Sequence, residues 1–144
     1  MSAENGVARH RAREAALQML YQWEVGRVSA HEAVVSYWPS REDETIDEEN
    51  QTFANGLVRG TIERVREADE LIAAHAHNWR LERMAVIDRL VLRLAIFELL
   101  TEPRTPAKVV INEALELART FSGEDPVPFI NGILDAVRKT LRRE

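Results

Sequence analysis

The chain has 144 residues, 45% hydrophobic and 30% charged, with a formal net charge of −5, six glycines, five prolines and no cysteine. That length supports one core of ordinary domain size, and the balance describes a folded rather than a disordered chain. Disulfides and thiolate metal sites are excluded. No stretch has the length and apolarity of a membrane span, and the N-terminus lacks the apolar core of a secretory signal, so a cytoplasmic protein is expected.

Residues 1–7 carry no period and read as a loose tail. Over residues 8–25, Ala12, Ala16, Leu17, Leu20 and Trp23 recur at helical spacing, and Gly26 ends the run. Ser29 with Glu32 has the spacing of a capping box and opens a short helix that Trp38-Pro39 closes. Thr45 with Glu48 repeats that spacing ahead of a long pattern through Ala54, Leu57, Val58, Ile62, Val65 and Ile72 towards Trp79. Periodicity leaves open whether this is one helix or two, broken near residues 67–69. The most apolar segment, residues 81–100, turns Ile87, Leu90, Val91, Leu94 and Phe97 to the core, and Pro103 closes it. Thr105-Pro106 predicts an N-cap and a first-turn proline for a helix burying Val110, Ala114, Leu117, Ala118 and Phe121. Pro126 or Pro128 opens the last helix, with its stripe Ile130, Ile133, Leu134, Val137 and Leu141. No segment alternates in the manner of a strand. The expected fold is therefore all-α, a compact bundle of six or seven helices. An echo of Phe53-Ala54-Asn55-Gly56-Leu57 in Phe129-Ile130-Asn131-Gly132-Ile133 suggests close helix approach at the glycines and, more weakly, two helical subdomains.

The charge is uneven. Six of the eight residues 42–49 are acidic (Glu42, Asp43, Glu44, Asp47, Glu48, Glu49), and the remainder of the chain carries a formal +1. The block reads as a solvated loop entering a helix, where carboxylates favour the N-terminal dipole. Against it stands the cationic knot Arg9-His10-Arg11-Ala12-Arg13. On a helix, Arg9 and Arg13 share the side of Ala16 and Leu20, and Arg11 points the other way. Guanidinium groups are not buried unpaired, so this turn is expected to overhang the core, where it can grip phosphate bidentately. A frayed, solvated helix end is the plain alternative, although cations at a helix N-terminus oppose the macrodipole. Tyr21 is placed to stack on an unpaired base and Gln18 to read a base edge. Packing at the core margin is the ordinary reading of Tyr21. Asp125 either caps the last helix or accepts from base amino groups, with Phe129 offering a stacking face.

Catalysis has no footing. His10, His31, His75 and His77 show no metal-ligand spacing, and there is no nucleophile elbow, HExxH, phosphate loop or dinucleotide fingerprint. No catalytic residue, metal or cofactor is expected. The basic end of the last helix (Arg138, Lys139, Arg142, Arg143) suits a helix C-terminus on dipole grounds alone.

Four blocks, in order along the chain, carry a resemblance. They are Arg11-Ala12-Arg13-Glu14-Ala15-Ala16-Leu17-Gln18-Met19-Leu20-Tyr21, the run from Ile87 through Asp88, Arg89 and Leu90 to Leu99, Val110-Ile111-Asn112-Glu113-Ala114-Leu115-Glu116-Leu117-Ala118, and Phe129-Ile130-Asn131-Gly132-Ile133-Leu134-Asp135. Together they resemble the NusB family of bacterial transcription antitermination factors. The resemblance implies one all-helical, non-enzymatic domain over residues 8–144. It would bind the single-stranded boxA element of nascent ribosomal RNA transcripts jointly with a small-subunit ribosomal protein, inside an RNA polymerase elongation complex with other Nus factors. The RNA-binding role would pass to Arg9, Arg11 and Arg13, with His10 at a position often basic, and to Asp125 and Phe129. Pro128 stands where the family commonly has a lysine, and Pro126 where serine is usual, which removes a cation from that contact. A net-acidic protein with one basic knot should bind RNA modestly alone and better beside a basic companion. Monomer and homodimer are both left open. The competing readings are a helical protein-interaction scaffold without RNA contact and a NusB-like accessory domain of rRNA-modifying machinery. The second is disfavoured because no catalytic segment follows within the 144 residues.

Overall fold

Helix is the regular structure throughout residues 3–41, 46–76 and 81–144, which the computed structural model describes. Seven α-helices and two 3-10 turns occur there, at the upper end of the expected number. Thr45, Glu42, Asp43, Glu44, His77 and Trp79 lie outside the described residues. The chain divides into two compact units, Met1–Ile62 and Glu63–Glu144.

The first unit holds α1 (Ala3–Glu24), α2 (Ala30–Val35), a 3-10 turn (Trp38–Ser40) and α3 (Glu48–Glu63). Helix α1 begins five residues ahead of the expected start at residue 8, since no proline interrupts the approach and Gly6 is tolerated at modest cost. It ends at Gly26, where an added Cβ would lie 2.6 Å from the backbone oxygen of Gln22. Only glycine fits that approach. Of the first capping box, the N-cap bond forms: Ser29 Oγ accepts the Glu32 N–H at 3.0 Å. At α3 the Asp47 carboxylate accepts the Asn50 N–H at 3.0 Å, so an aspartate satisfies one of that helix's orphan donors. Ala12, Ala16, Leu17, Met19 and Leu20 of α1 are buried, with Val34, Tyr37, Ala54, Leu57 and Val58 completing this unit's apolar interior.

The second unit holds α4 (Val65–His75), a 3-10 turn (Leu81–Arg83), α5 (Val86–Thr101), α6 (Ala107–Phe121) and α7 (Val127–Thr140). The long pattern is thus two helices, and the break falls at Arg64 rather than near residues 67–69. Helix α5 packs against α4, α6 and α7. Every residue from Leu90 to Ile96 is buried, as expected of a helix surrounded by neighbours. Truncating Leu90, Leu92 or Leu94 to alanine would cost about 2–5 kcal/mol each. Arg93 lies in the middle of this apolar run and is only 7% exposed. It is accommodated by two bonds to Asp69 of α4, from Nε at 2.8 Å and Nη2 at 2.9 Å. Pro106 is the N-cap of α6 rather than its first residue, one position later than Thr105. The glycines of the echoed motifs do not mediate close packing: Gly56 and Gly132 are exposed, and a Cβ on either would meet nothing within 4 Å.

Candidate nucleic-acid interface

Helix α1 sorts its cations by face. Arg9 and Arg13, four residues apart, both reach the ring of Phe53 on α3, with Cζ 4.0 and 5.4 Å from its centroid. Arg13 is 5% exposed. The expectation that the whole knot overhangs the core is therefore corrected at Arg13, because an aromatic face offers a cation an attraction that strengthens when water is excluded. Arg9 keeps more contact with solvent. Its Nη2 lies 3.7 Å from the Glu49 carboxylate, which is itself largely exposed, so this ion pair is weak. His10 lies 3.8 Å from Glu14, one turn along the helix.

The opposite face is different. Arg11 is exposed and makes no ion pair among the described residues. Gln18 follows seven residues later, about 10 Å along the axis, and Tyr21 about 4.5 Å beyond that. Tyr21 is 38% exposed, so it sits at the core margin with part of its ring open to solvent. Gln18 is held from below: its Oε1 accepts the Tyr37 hydroxyl at 2.7 Å and Arg41 Nη2 at 3.0 Å. The Arg41 guanidinium in turn lies 5.2 Å from the Tyr37 ring centroid. A free cation, an oriented amide and an open aromatic ring in one stripe can together take a phosphate, a base edge and a base face.

In the second unit, Asp125 and Phe129 line a groove of about 470 Å³ with Arg83, Met84, Ala85, Asp88 and Pro126. Asp125 is exposed and does not cap the last helix; Pro126 is the N-cap and makes no side-chain capping bond. Carboxylate, aromatic ring and guanidinium thus share one depression beside a helix N-terminus.

The sequence profile described as the NusB family matches residues 10–139. This chain belongs to the NusB family. It is 46% identical over 136 residues to the transcription antitermination protein NusB of Koribacter versatilis, covering 94% of this chain and 92% of that one. Among solved structures, NusB of T. maritima aligns with a TM-score of 0.80 at 37% identity, over 91% of this chain and 90% of the other. The crystal structure of antitermination factors NusB and NusE in complex with dsRNA aligns at 0.83 and 23% identity, over 92% and 97%, and at that identity shows shared fold.

Three residues that pattern reading missed become visible in the structure. Phe53 gives no sign in the sequence of holding two arginines, since it reads as one more apolar helix position. Arg41 sits beside the acidic block, which hides it. Arg83 lines the groove 42 residues before Asp125 and supplies a cation to it. Three of the four cations at the basic C-terminal end of this NusB chain are engaged internally, and Arg142 is exposed. Arg138 and Lys139 pair with Asp135 at 2.7 and 3.2 Å, and these bonds, Arg138 first, hold the Asp135 carboxyl below its ordinary range. Arg143 donates to the backbone carbonyls of Leu99, Glu102 and Thr105, tying down the connection from α5 to α6.

Proposed function

We propose that this NusB-family chain is a non-enzymatic transcription antitermination factor of the bacterial cytoplasm. It binds the boxA element of nascent ribosomal RNA as a single strand, together with a small-subunit ribosomal protein, within an RNA polymerase elongation complex that includes other Nus factors. The observation that carries the RNA contact is the outer stripe of α1, where Arg11 lacks any ion pair among the described residues and Tyr21 is open. The names of the relatives support an antitermination factor that meets RNA: transcription antitermination protein NusB for the Koribacter versatilis relative, and antitermination factors NusB and NusE in complex with dsRNA for the solved structure. Arg11 and the half-exposed Arg9 take phosphate, Tyr21 stacks, and Gln18 faces a base edge. His10 lies beside them. Asp125 and Phe129 form a second contact in their groove. Arg13 contributes by holding Phe53 and the start of α1 in place rather than by touching RNA.

Titration of the full chain with a boxA oligonucleotide and a scrambled control, at several salt concentrations, tests this. Tighter binding of boxA is expected, strengthened by the basic ribosomal partner. Two phosphate-contacting arginines predict a shallow salt dependence, on the order of −1.4 in log–log slope. Equal affinity for both strands would remove sequence selectivity. No binding with or without the partner would favour the scaffold reading.

A further inference from the structure

Gln18 is held by two partners that fix which end of its amide faces outward. Arg41 carries only donors, so the atom of Gln18 that it contacts at 3.0 Å is the carbonyl oxygen. The same oxygen receives the Tyr37 hydroxyl at 2.7 Å. Both bonds occupy Oε1 and leave Nε2, with its two N–H donors, as the outward atom. Nε2 has no partner among the described residues and is not among their buried unsatisfied atoms, so it meets solvent. It does so between exposed Arg11, two turns before it, and exposed Tyr21, one turn after.

A glutamine free to rotate presents donor or acceptor with equal ease and discriminates poorly. One whose oxygen is already engaged can only donate. Rotating it would set its NH2 group against the Arg41 guanidinium, leaving donors facing donors and the Tyr37 hydroxyl without its acceptor. We infer that Gln18, locked by Arg41 and Tyr37, is a specificity-determining residue that selects an acceptor-bearing base edge, such as guanine O6/N7 or uracil O4, over the amino edges of adenine and cytosine. The inference rests on the RNA-binding reading above and adds to it a direction of hydrogen bonding and a new participant. Arg41 acts through Gln18 as a positioning residue.

The test is a panel of boxA oligonucleotides carrying each base in turn at each position, measured with the full-length chain, Gln18→Glu and Arg41→Ala. Gln18→Glu keeps an oxygen for Tyr37 and Arg41, so its melting temperature should equal or exceed that of the parent. Outward, however, it replaces donors with an acceptor. At one position the preference should invert, from guanine or uracil towards cytosine or adenine, with a relative change of about tenfold or more. Arg41→Ala frees the amide to rotate. It should flatten the preference at that same position by about three- to tenfold. Three results would overturn the inference: a uniform loss across the panel in Gln18→Glu, which is charge repulsion alone; no change in Gln18→Glu; or an Arg41→Ala protein with unaltered base preference. If the parent chain binds no member of the panel, with or without the basic partner, the RNA reading itself fails, and that result is distinct from the other three.

Discussion

The two faces of α1 begin with the same residue type and end in opposite chemistry. On the inner face, Arg9 and Arg13 meet over Phe53, and Arg13 is 5% exposed. On the outer face, Arg11 has no ion pair among the described residues and shares its stripe with Gln18 and Tyr21. The rotation of 100° per residue separates these fates. An arginine two positions from another is on a different surface, and whether it holds the fold or meets a ligand is set by what the neighbouring helix offers. Here α3 offers an aromatic ring to one face and nothing to the other. A count of arginines overstates the ligand-ready charge of such a segment.

The comparison can be bounded from the side of stability. Arg93 is a buried cation with a bidentate carboxylate partner, so Asp69→Ala removes two charge-assisted hydrogen bonds inside the second unit. That should cost about 3–5 kcal/mol in denaturant unfolding, the largest effect of any charge substitution proposed for this chain. Arg13→Ala removes a cation held by a ring, together with its packed aliphatic stem, and should cost less, about 1–3 kcal/mol. Arg11→Ala should move stability by no more than about 0.5 kcal/mol yet lower boxA affinity roughly tenfold. If Arg13→Ala left melting unchanged while abolishing RNA binding, Arg13 would be a ligand contact rather than a packing one, and the distinction between it and Arg11 would collapse.

The helices were legible because each is written locally. Ser29 and Glu32 carry their own cap, Gly26 its own stop, and the apolar stripes of α6 and α7 fall at helical spacing. The facing of Arg9 and Arg13 towards Ala16 and Leu20 followed from helical rotation alone. What rotation could not supply was a partner 40 residues away. Without Phe53 in view, a guanidinium on the core side had to be assigned to solvent. Separation along the chain likewise hid Arg41 from Gln18 and Arg83 from Asp125, since no period links a side chain to a residue on another element. The echoed glycines misled for a related reason. Gly56 and Gly132 lie on exposed faces, where no neighbouring helix comes within reach of a Cβ.

The smallest expected effect tests whether the faces are electrically distinct. The Asp47 carboxylate accepts the backbone N–H of Asn50 at 3.0 Å and its side-chain amide at 2.7 Å. These bonds, backbone first, hold its carboxyl below the ordinary 3.8, and the positive charge of Arg9 adds to the shift. A carboxyl with a lowered folded-state value contributes stability that is fully present above the unfolded value and lost as pH falls through the lowered one. The difference in melting temperature between the parent chain and Asp47→Asn should therefore be constant above about pH 5 and shrink steadily as pH falls below the ordinary 3.8. Arg9→Ala should reduce that difference, because it removes the cation that faces Asp47. Arg11→Ala should leave it unchanged, because its charge lies on the far side of the helix. If Arg11→Ala flattened the profile as much as Arg9→Ala, the helix would not be insulating one face from the other, and the free charge assigned to Arg11 would already be engaged by the acidic start of α3.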